Sequence, residues 1–387
     1  MVKEGSCQFK QDQMSLTEVM LELVRAAVLD QDPVLPENTK VDWDKLMDIS
    51  QEQGVIAWVY DGICKLPVEQ QPPRIYRINW GMSAQEIWDR YKLQKSALND
   101  IVSICDHNQI RLMLMKGIGL SGLFPKPESR PSGDIDVYLF DDFEKGNKLF
   151  SAKVDQETEL HTSFIYKGVE IENHKIFVYH NTKVKGLVGD YLLRHTSDAI
   201  ITSDGYYTFA PLPNLVYLLM HALNHVNYAS EDTIFSLKHI LDIGMFIQKN
   251  RNQLIPEEVL RTMRELLLDK SFELMVYLSE WLYRVELKEY HQDLIERNDL
   301  QKIGVLFNKQ GLSAPLEHYP SLIKQAHAIH RRYNTLKPIA KYIPQKPKCS
   351  LRQITWNLQK LYFVRRLFKL PDGVSTSLAL KNKFSRR

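Results

Sequence analysis

The sequence predicts an α+β fold in which a small mixed β-sheet is flanked by N-terminal and C-terminal helical regions. Three observations predict it: the first hundred residues carry apolar side chains at helical spacing, segments between 110 and 209 show short apolar runs or strict alternation, and helical spacing returns after Pro213. With 387 residues, 44% hydrophobic and 25% charged, the chain is long enough for roughly two or three domains. Its composition excludes wholesale disorder and fibrous repeats.

The elements follow in order. Ser15 and Glu18 have capping-box spacing, and Leu16, Val19, Met20, Leu23, Val24, Ala27 and Val28 form one apolar stripe. A second helix is predicted over Trp43–Gln53, with Gly54 as its C-terminal cap. Ser83 and Glu86 repeat the capping-box spacing. They predict the start of a long helix through Ile87, Trp88, Tyr91, Leu98, Ile101 and Cys105, ending near His107 and Asn108. The apolar run Ile110–Met115 is predicted as a buried strand. Lys116-Gly117-Ile118-Gly119 and then Leu120–Phe124 read as a turn into a short helix, after which Pro125, Pro127 and Pro131 break the chain. Gly133–Phe140 and Val169–Val178 alternate and predict strands, and Tyr206–Phe209 predicts a short fourth. Helices are predicted over Leu215–Val226, Ser236–Gln248, Pro256–Leu268 and Phe272–Leu287. The chain then divides into a helical region 1–100, an α+β core 101–210, a second helical region 211–336 and a terminal segment 337–387.

That last segment is a separate electrostatic object. Residues 337–387 hold 13 Lys and Arg against the single acid Asp372, so they carry +12 while the rest of the chain carries −9, for a total of +3. Arg352, Lys360, Arg365, Arg366 and Lys369 interleave with Trp356, Leu361, Tyr362, Phe363 and Phe368. The pattern predicts an amphipathic helix with a solvated basic face, suited to weak contact with an anionic membrane or an acidic partner. No specific nucleic acid is predicted. Cys7, Cys64, Cys105 and Cys349 form no CxxC pair, so free thiols are expected rather than disulfides or a zinc knuckle. No run of about 18 apolar residues exists to span a bilayer, and the first residues lack a basic-then-apolar leader, so a cytoplasmic location is expected.

The informative chemistry is Gly133-Asp134-Ile135-Asp136. Residues two apart on a strand face the same way, so Asp134 and Asp136 project side by side. Adjacent carboxylates repel, and a hard divalent cation such as Mg²⁺ relieves the repulsion while keeping sites for phosphate oxygens. Upstream, the turn Lys116-Gly117 through Ser121-Gly122 can offer backbone amides to phosphate, and Arg130 can offer a fork of donors. Downstream, Glu170, Glu172 and His174 share one strand face, so a third carboxylate, Glu172 or Glu170, can complete a metal site. His221 and His225, four apart on an apolar helix, could grip a metal, but no HExxH pattern is present and they are expected to line the core or a cleft. Asp242 could hydrogen-bond one of them, or act as a cap or in a buried pair. No P-loop, no GxGxxG after a strand, no GxSxG and no kinase catalytic loop is visible.

Taken together, Lys116-Gly117, Arg130, Asp134-Ile135-Asp136 and Glu172-Asn173-His174 resemble the bacterial uncharacterised nucleotidyltransferase family of the DNA polymerase beta-like superfamily. The resemblance covers roughly residues 45–250, including His221–His225 and the helix Leu237–Phe246. It implies a nucleotidyltransferase core and an Mg²⁺-dependent, two-metal transfer of a nucleoside monophosphate from an NTP to a hydroxyl of a small molecule, sugar derivative or protein. Asp134, Asp136 and Glu172 (or Glu170) would be the metal and catalytic carboxylates. Lys116, Gly117, Ser121, Arg130, Gly133 and His174 would contact the nucleotide. The turn is Lys-Gly where the superfamily has Gly-Ser or Gly-Gly. The alternative reading is therefore a catalytically degenerate binding or scaffold protein that docks to anionic surfaces through its basic tail.

Overall fold

A computed structural model describes residues 14–150, 154–224 and 236–290. Cys7, Cys349, His225 and the basic segment 337–387 lie outside them. Cys64 and Cys105 are free thiols. Among the described residues no helix is long and apolar enough to cross a membrane.

The chain opens with helix α1 (Leu16–Val28), whose predicted capping box forms: Ser15 Oγ accepts the Glu18 amide, and the Glu18 carboxylate accepts the Ser15 amide at 2.7 Å. Helix α2 (Trp43–Glu52) is capped by Asp42 and closes at Gly54, whose φ of +68° suits glycine. Helix α3 (Ile56–Lys65) follows and lies against α1 so closely that a Cβ on Gly62 would collide with the Leu23 carbonyl.

The long helix α4 runs Arg74–His107. Its predicted start at Ser83 is overturned. Pro73 is the N-cap, and Ser83 and Glu86 lie inside the helix. Pro73 cannot continue a preceding helix but is compatible with starting one, so it overrides the later capping spacing. Gly81, which resembles a pre-helix breaker, sits within α4 where a Cβ would come 3.0 Å from Tyr60 Oη. α4 also runs without a break through position 100, where the sequence placed a boundary.

A seven-stranded mixed sheet follows, against the four strands predicted. It comprises β1 (Met113–Leu114), β2 (Ile135–Tyr138), β3 (Val154–Glu157), β4 (His161–Tyr166), β5 (Val169–His174), β6 (Ile200–Ile201) and β7 (Tyr207–Thr208), in the order β3-β4-β5-β2-β1-β7-β6. The extra strands have physical signals that alternation alone misses. β4 and β5 form a hairpin around Lys167 and Gly168, both at positive φ (49° and 79°), the two-residue turn that matches strand twist. β6 is only two exposed residues, too short to alternate. Helices α5 (Phe143–Phe150) and α6 (Lys183–Arg194) were likewise not predicted. Helices α7 (Pro211–Asn224), α8 (Leu237–Lys249), α9 (Pro256–Glu265) and α10 (Asp269–Tyr283) match the predicted C-terminal periodicities, with Ser236 capping α8.

Among the described residues two apolar cores result. One lies between α4 and one sheet face, joining Leu98, Ile101 and Cys105 to Ile135, Val137, Phe164 and Ile171. The other joins the N-terminal and C-terminal helices through side chains such as Leu23, Trp58, Trp80, Leu241, Phe272 and Tyr283. The opposite sheet face, which carries Asp136 and Tyr138, meets this second core: Tyr138 packs on Phe177, and Phe177 on Tyr217 of α7.

Gly62→Ala forces a methyl into backbone that cannot swing away, and is expected to lower stability by about 2–3 kcal/mol in urea denaturation. Gly186→Ala, in α6 with nothing within 4 Å of the added carbon, is expected to raise stability by about 0.5–1 kcal/mol.

Candidate functional site

Strands β2 and β5 are parallel, and their register sets Asp136 opposite Glu172 and Tyr138 opposite His174. Asp134 precedes β2 on the same face as Asp136. One ligand oxygen from each of Asp134, Asp136 and Glu172 therefore falls within 4.8 Å of the others. Glu170 is exposed on the same strand, stands opposite Ile165 rather than beside β2, and is not in that group. A second group, His161, Glu172 and His174, shares Glu172 with the first. His161 is not recognisable by spacing, because β4 itself was not predicted.

Asp136 is wholly buried and would be untenable alone. Lys116 Nζ lies 2.8 Å from its Oδ1, and His174 Nε2 lies 3.0 Å from the same oxygen. Burial pushes the Asp136 pKa up, but Lys116 and His174 outweigh it and hold the carboxyl below its ordinary value. Asp134, partly exposed and 3.9 Å from Lys116, is pushed up to about 6 by burial and then by Asp136. Burial alone would lower Lys116, yet Asp136 and Asp134 keep its pKa raised. His174, also opposed by burial, is raised to about 9 by its contacts with Asp136 and with Glu172 at 3.3 Å. His161, 3.4 Å from Glu172, is lowered by burial.

The donor set fits a hard divalent cation. It is three carboxylates, and Asp136 Oδ2 is buried with no hydrogen-bond partner among the described residues. Gly117 opens the space beside that oxygen. At φ +61° it sits where a Cβ would meet Ser132 Oγ at 2.9 Å and the Asp134 carbonyl at 3.1 Å, with Asp136 Oδ2 at 4.0 Å.

The remaining predicted residues divide. Gly117 and Gly133 line a small pocket with Lys116, Asp134 and residues of α7 and α8. Ser121 is buried in the 3₁₀ turn Gly117–Leu123, its hydroxyl has no partner among the described residues, and it does not line that pocket. Arg130 lines the pocket, but its fork is occupied. Nε and NH2 each donate to Asp242 of α8 at 2.8 Å, and NH1 donates to the Gly117 carbonyl at 2.6 Å. Of the roles the sequence allowed Asp242, a histidine partner, a cap or a buried pair, the buried pair is what forms, with Arg130. The proline-rich stretch is pinned as well: Asp61 accepts from Lys126 at 2.7 Å and from Ser129, and Trp88 Nε1 donates to Ser129 Oγ at 2.9 Å.

A family model described as "Uncharacterised nucleotidyltransferase" matches residues 39–284, more than half of the chain. The chain belongs to that family. No curated protein and no solved structure matches it. Membership makes the protein a transferase of the nucleotidyltransferase type and implies an NTP substrate. The matched span begins ahead of α2 and ends just past α10, so the helices that pack around the sheet belong to the family unit as much as the acidic strands do.

The charge arrangement has measurable consequences. His174 has a folded pKa above its unfolded one, so its contribution to stability is complete below about pH 6.5 and is lost as pH rises through about 9. In chelator, the urea midpoint is expected to fall across that window, and His174→Gln is expected to flatten the fall. Asp242→Ala strands a buried guanidinium and is expected to cost about 3–5 kcal/mol, whereas Arg130→Met with Asp242→Leu recovers most of the loss in the same urea assay.

Proposed function

We propose that the protein is an Mg²⁺-dependent nucleotidyltransferase that moves a nucleoside monophosphate from an NTP to a hydroxyl of a small molecule, a sugar derivative or a protein. The observation that carries this reading is the group of Asp134, Asp136 and Glu172, with one buried carboxylate oxygen left open. A divalent cation held by those carboxylates would screen the polyphosphate and polarise the phosphorus under attack.

The chain's own residues have separable tasks. Asp136, charged because Lys116 and His174 keep it so, anchors the site. Glu172, less buried than Asp136, takes the proton of the acceptor hydroxyl. The acceptor oxygen then bonds to the α-phosphorus, the bond to the bridging oxygen breaks, and pyrophosphate leaves. The Lys116 ammonium is fixed beside the region where negative charge accumulates, so no reorganisation is needed as charge develops. Arg130 acts through its hold on Asp242 and on the Gly117 carbonyl, as a positioning residue.

Calorimetric titration with each common NTP is expected to show binding that requires Mg²⁺ in the wild type and is lost in Asp134→Asn; equal binding by both proteins overturns the reading and leaves the binding-module alternative. With an acceptor in hand, Asp136→Asn and Glu172→Gln are expected to lower kcat by about 10²- to 10³-fold, equivalent to several kcal/mol. Glu170→Gln is expected to leave it unchanged. Pyrophosphate release is the readout.

A further inference from the structure

The pocket beside the carboxylates contains a cation that nothing in the site uses. Lys238 of α8 lines it together with Lys116, Arg130, Asp134, His239 and Asp242. Its ammonium makes no hydrogen bond or ion pair among the described residues. The acids that act on it from a distance, Asp242 and Asp134, are committed elsewhere, Asp242 to Nε and Nη2 of Arg130 and Asp134 beside Lys116. Burial, and then Arg130, depress the pKa of this lysine. A partly buried charge without a counter-ion is unfavourable unless a ligand supplies one.

A second observation points the same way. Lys238 stands in the first turn of α8, which holds no acidic residue. The Leu237 amide of that turn already donates to Gln53 Oε1 and the His239 amide to Ser236 Oγ, but the helix dipole still presents its positive end there, so an ammonium is repelled and an anion is attracted. The lysine is also held in place. Its stem runs past Gly54 at the α2–α3 turn, with its Cβ and Cδ 3.7 Å from where a Gly54 Cβ would sit. α8 itself is tied to the catalytic turn through Asp242, Arg130 and Gly117. The pocket measures about 50 Å³. That is far below the roughly 300–1,000 Å³ of a whole-ligand site, so it holds one group of a larger molecule.

We propose that Lys238 and the amino-terminal turn of α8 form an oxyanion subsite that takes a single phosphoryl group next to the carboxylates. The group belongs either to the polyphosphate tail of the nucleotide, which rests on the nucleotidyltransferase reading above, or to a phosphorylated acceptor. In both cases the chemistry is the same: a tetrahedral anion completes the charge that Lys238 lacks.

The test uses the full chain and two probes, inorganic tripolyphosphate with Mg²⁺ and inorganic phosphate without metal. Lys238→Met removes a buried charge while keeping the stem, so thermal unfolding is expected to show no loss of stability, and Lys238→Arg keeps the charge. Weakening of tripolyphosphate by about ten- to hundredfold in Lys238→Met, with retention in Lys238→Arg, supports the subsite and assigns it to the nucleotide tail. The same loss for metal-free phosphate alone supports the subsite and assigns it to the acceptor, whether or not NTP binding is found. Equal affinity of wild type and Lys238→Met for both probes overturns the proposal, as does a wild type that binds neither. Loss of Mg²⁺-dependent NTP binding in Asp134→Asn is scored separately and bears only on the nucleotidyltransferase reading.

Discussion

The parallel register of β2 and β5 is the constraint on which the rest of the site depends. It fixes the buried Asp136 opposite Glu172, with Asp134 two residues before Asp136 on the same face. Three carboxylates brought together in a partly desolvated place repel one another, and each loses hydration. The fold answers with charge: Lys116 at the end of β1 and His174 two residues beyond Glu172 both reach the same oxygen of Asp136. That leaves Asp136 ionised and its second oxygen unengaged, a geometry suited to receiving a cation.

A second buried pair couples this centre to the helical body. Arg130 spans from the Gly117 carbonyl to the Asp242 carboxylate, with hardly any solvent exposure at either partner. Ion pairs of this kind are a weak source of net stability, because desolvation offsets most of the attraction. Their value is geometric. Removing either partner leaves a stranded charge, so α8 and the glycine turn are held in one relation. The proline-rich stretch between them is pinned separately, through Asp61 and Trp88 of the N-terminal helices. The sheet is therefore held among helices, and the family match extends over those helices, from ahead of α2 to just past α10.

Much of this was legible in the chain itself. The Asp134–Asp136 pair, the Lys116–Gly117 turn and Glu172 with His174 could be found by spacing, because strand geometry alone puts alternate residues on one face. The start of α1 was legible because Ser15 satisfies an amide locally. The start of α4 was not, since two capping signals competed and proline took precedence. Strand β4 was missed, and His161 with it, because its Lys167-Gly168 turn lies between two stretches that do not both alternate cleanly.

Local sequence thus determined which residue types stand at which strand and helix positions, and hence that acids and bases were available for phosphate chemistry. Tertiary structure decided which of them meet. Glu172 joins the aspartates and Glu170 does not, because inter-strand register is a pairing between segments about 35 residues apart. Arg130 binds a carboxylate more than a hundred residues away, and Lys238 is left without one among the described residues, because partners for buried charge are chosen by packing in three dimensions and leave no mark in spacing along the chain.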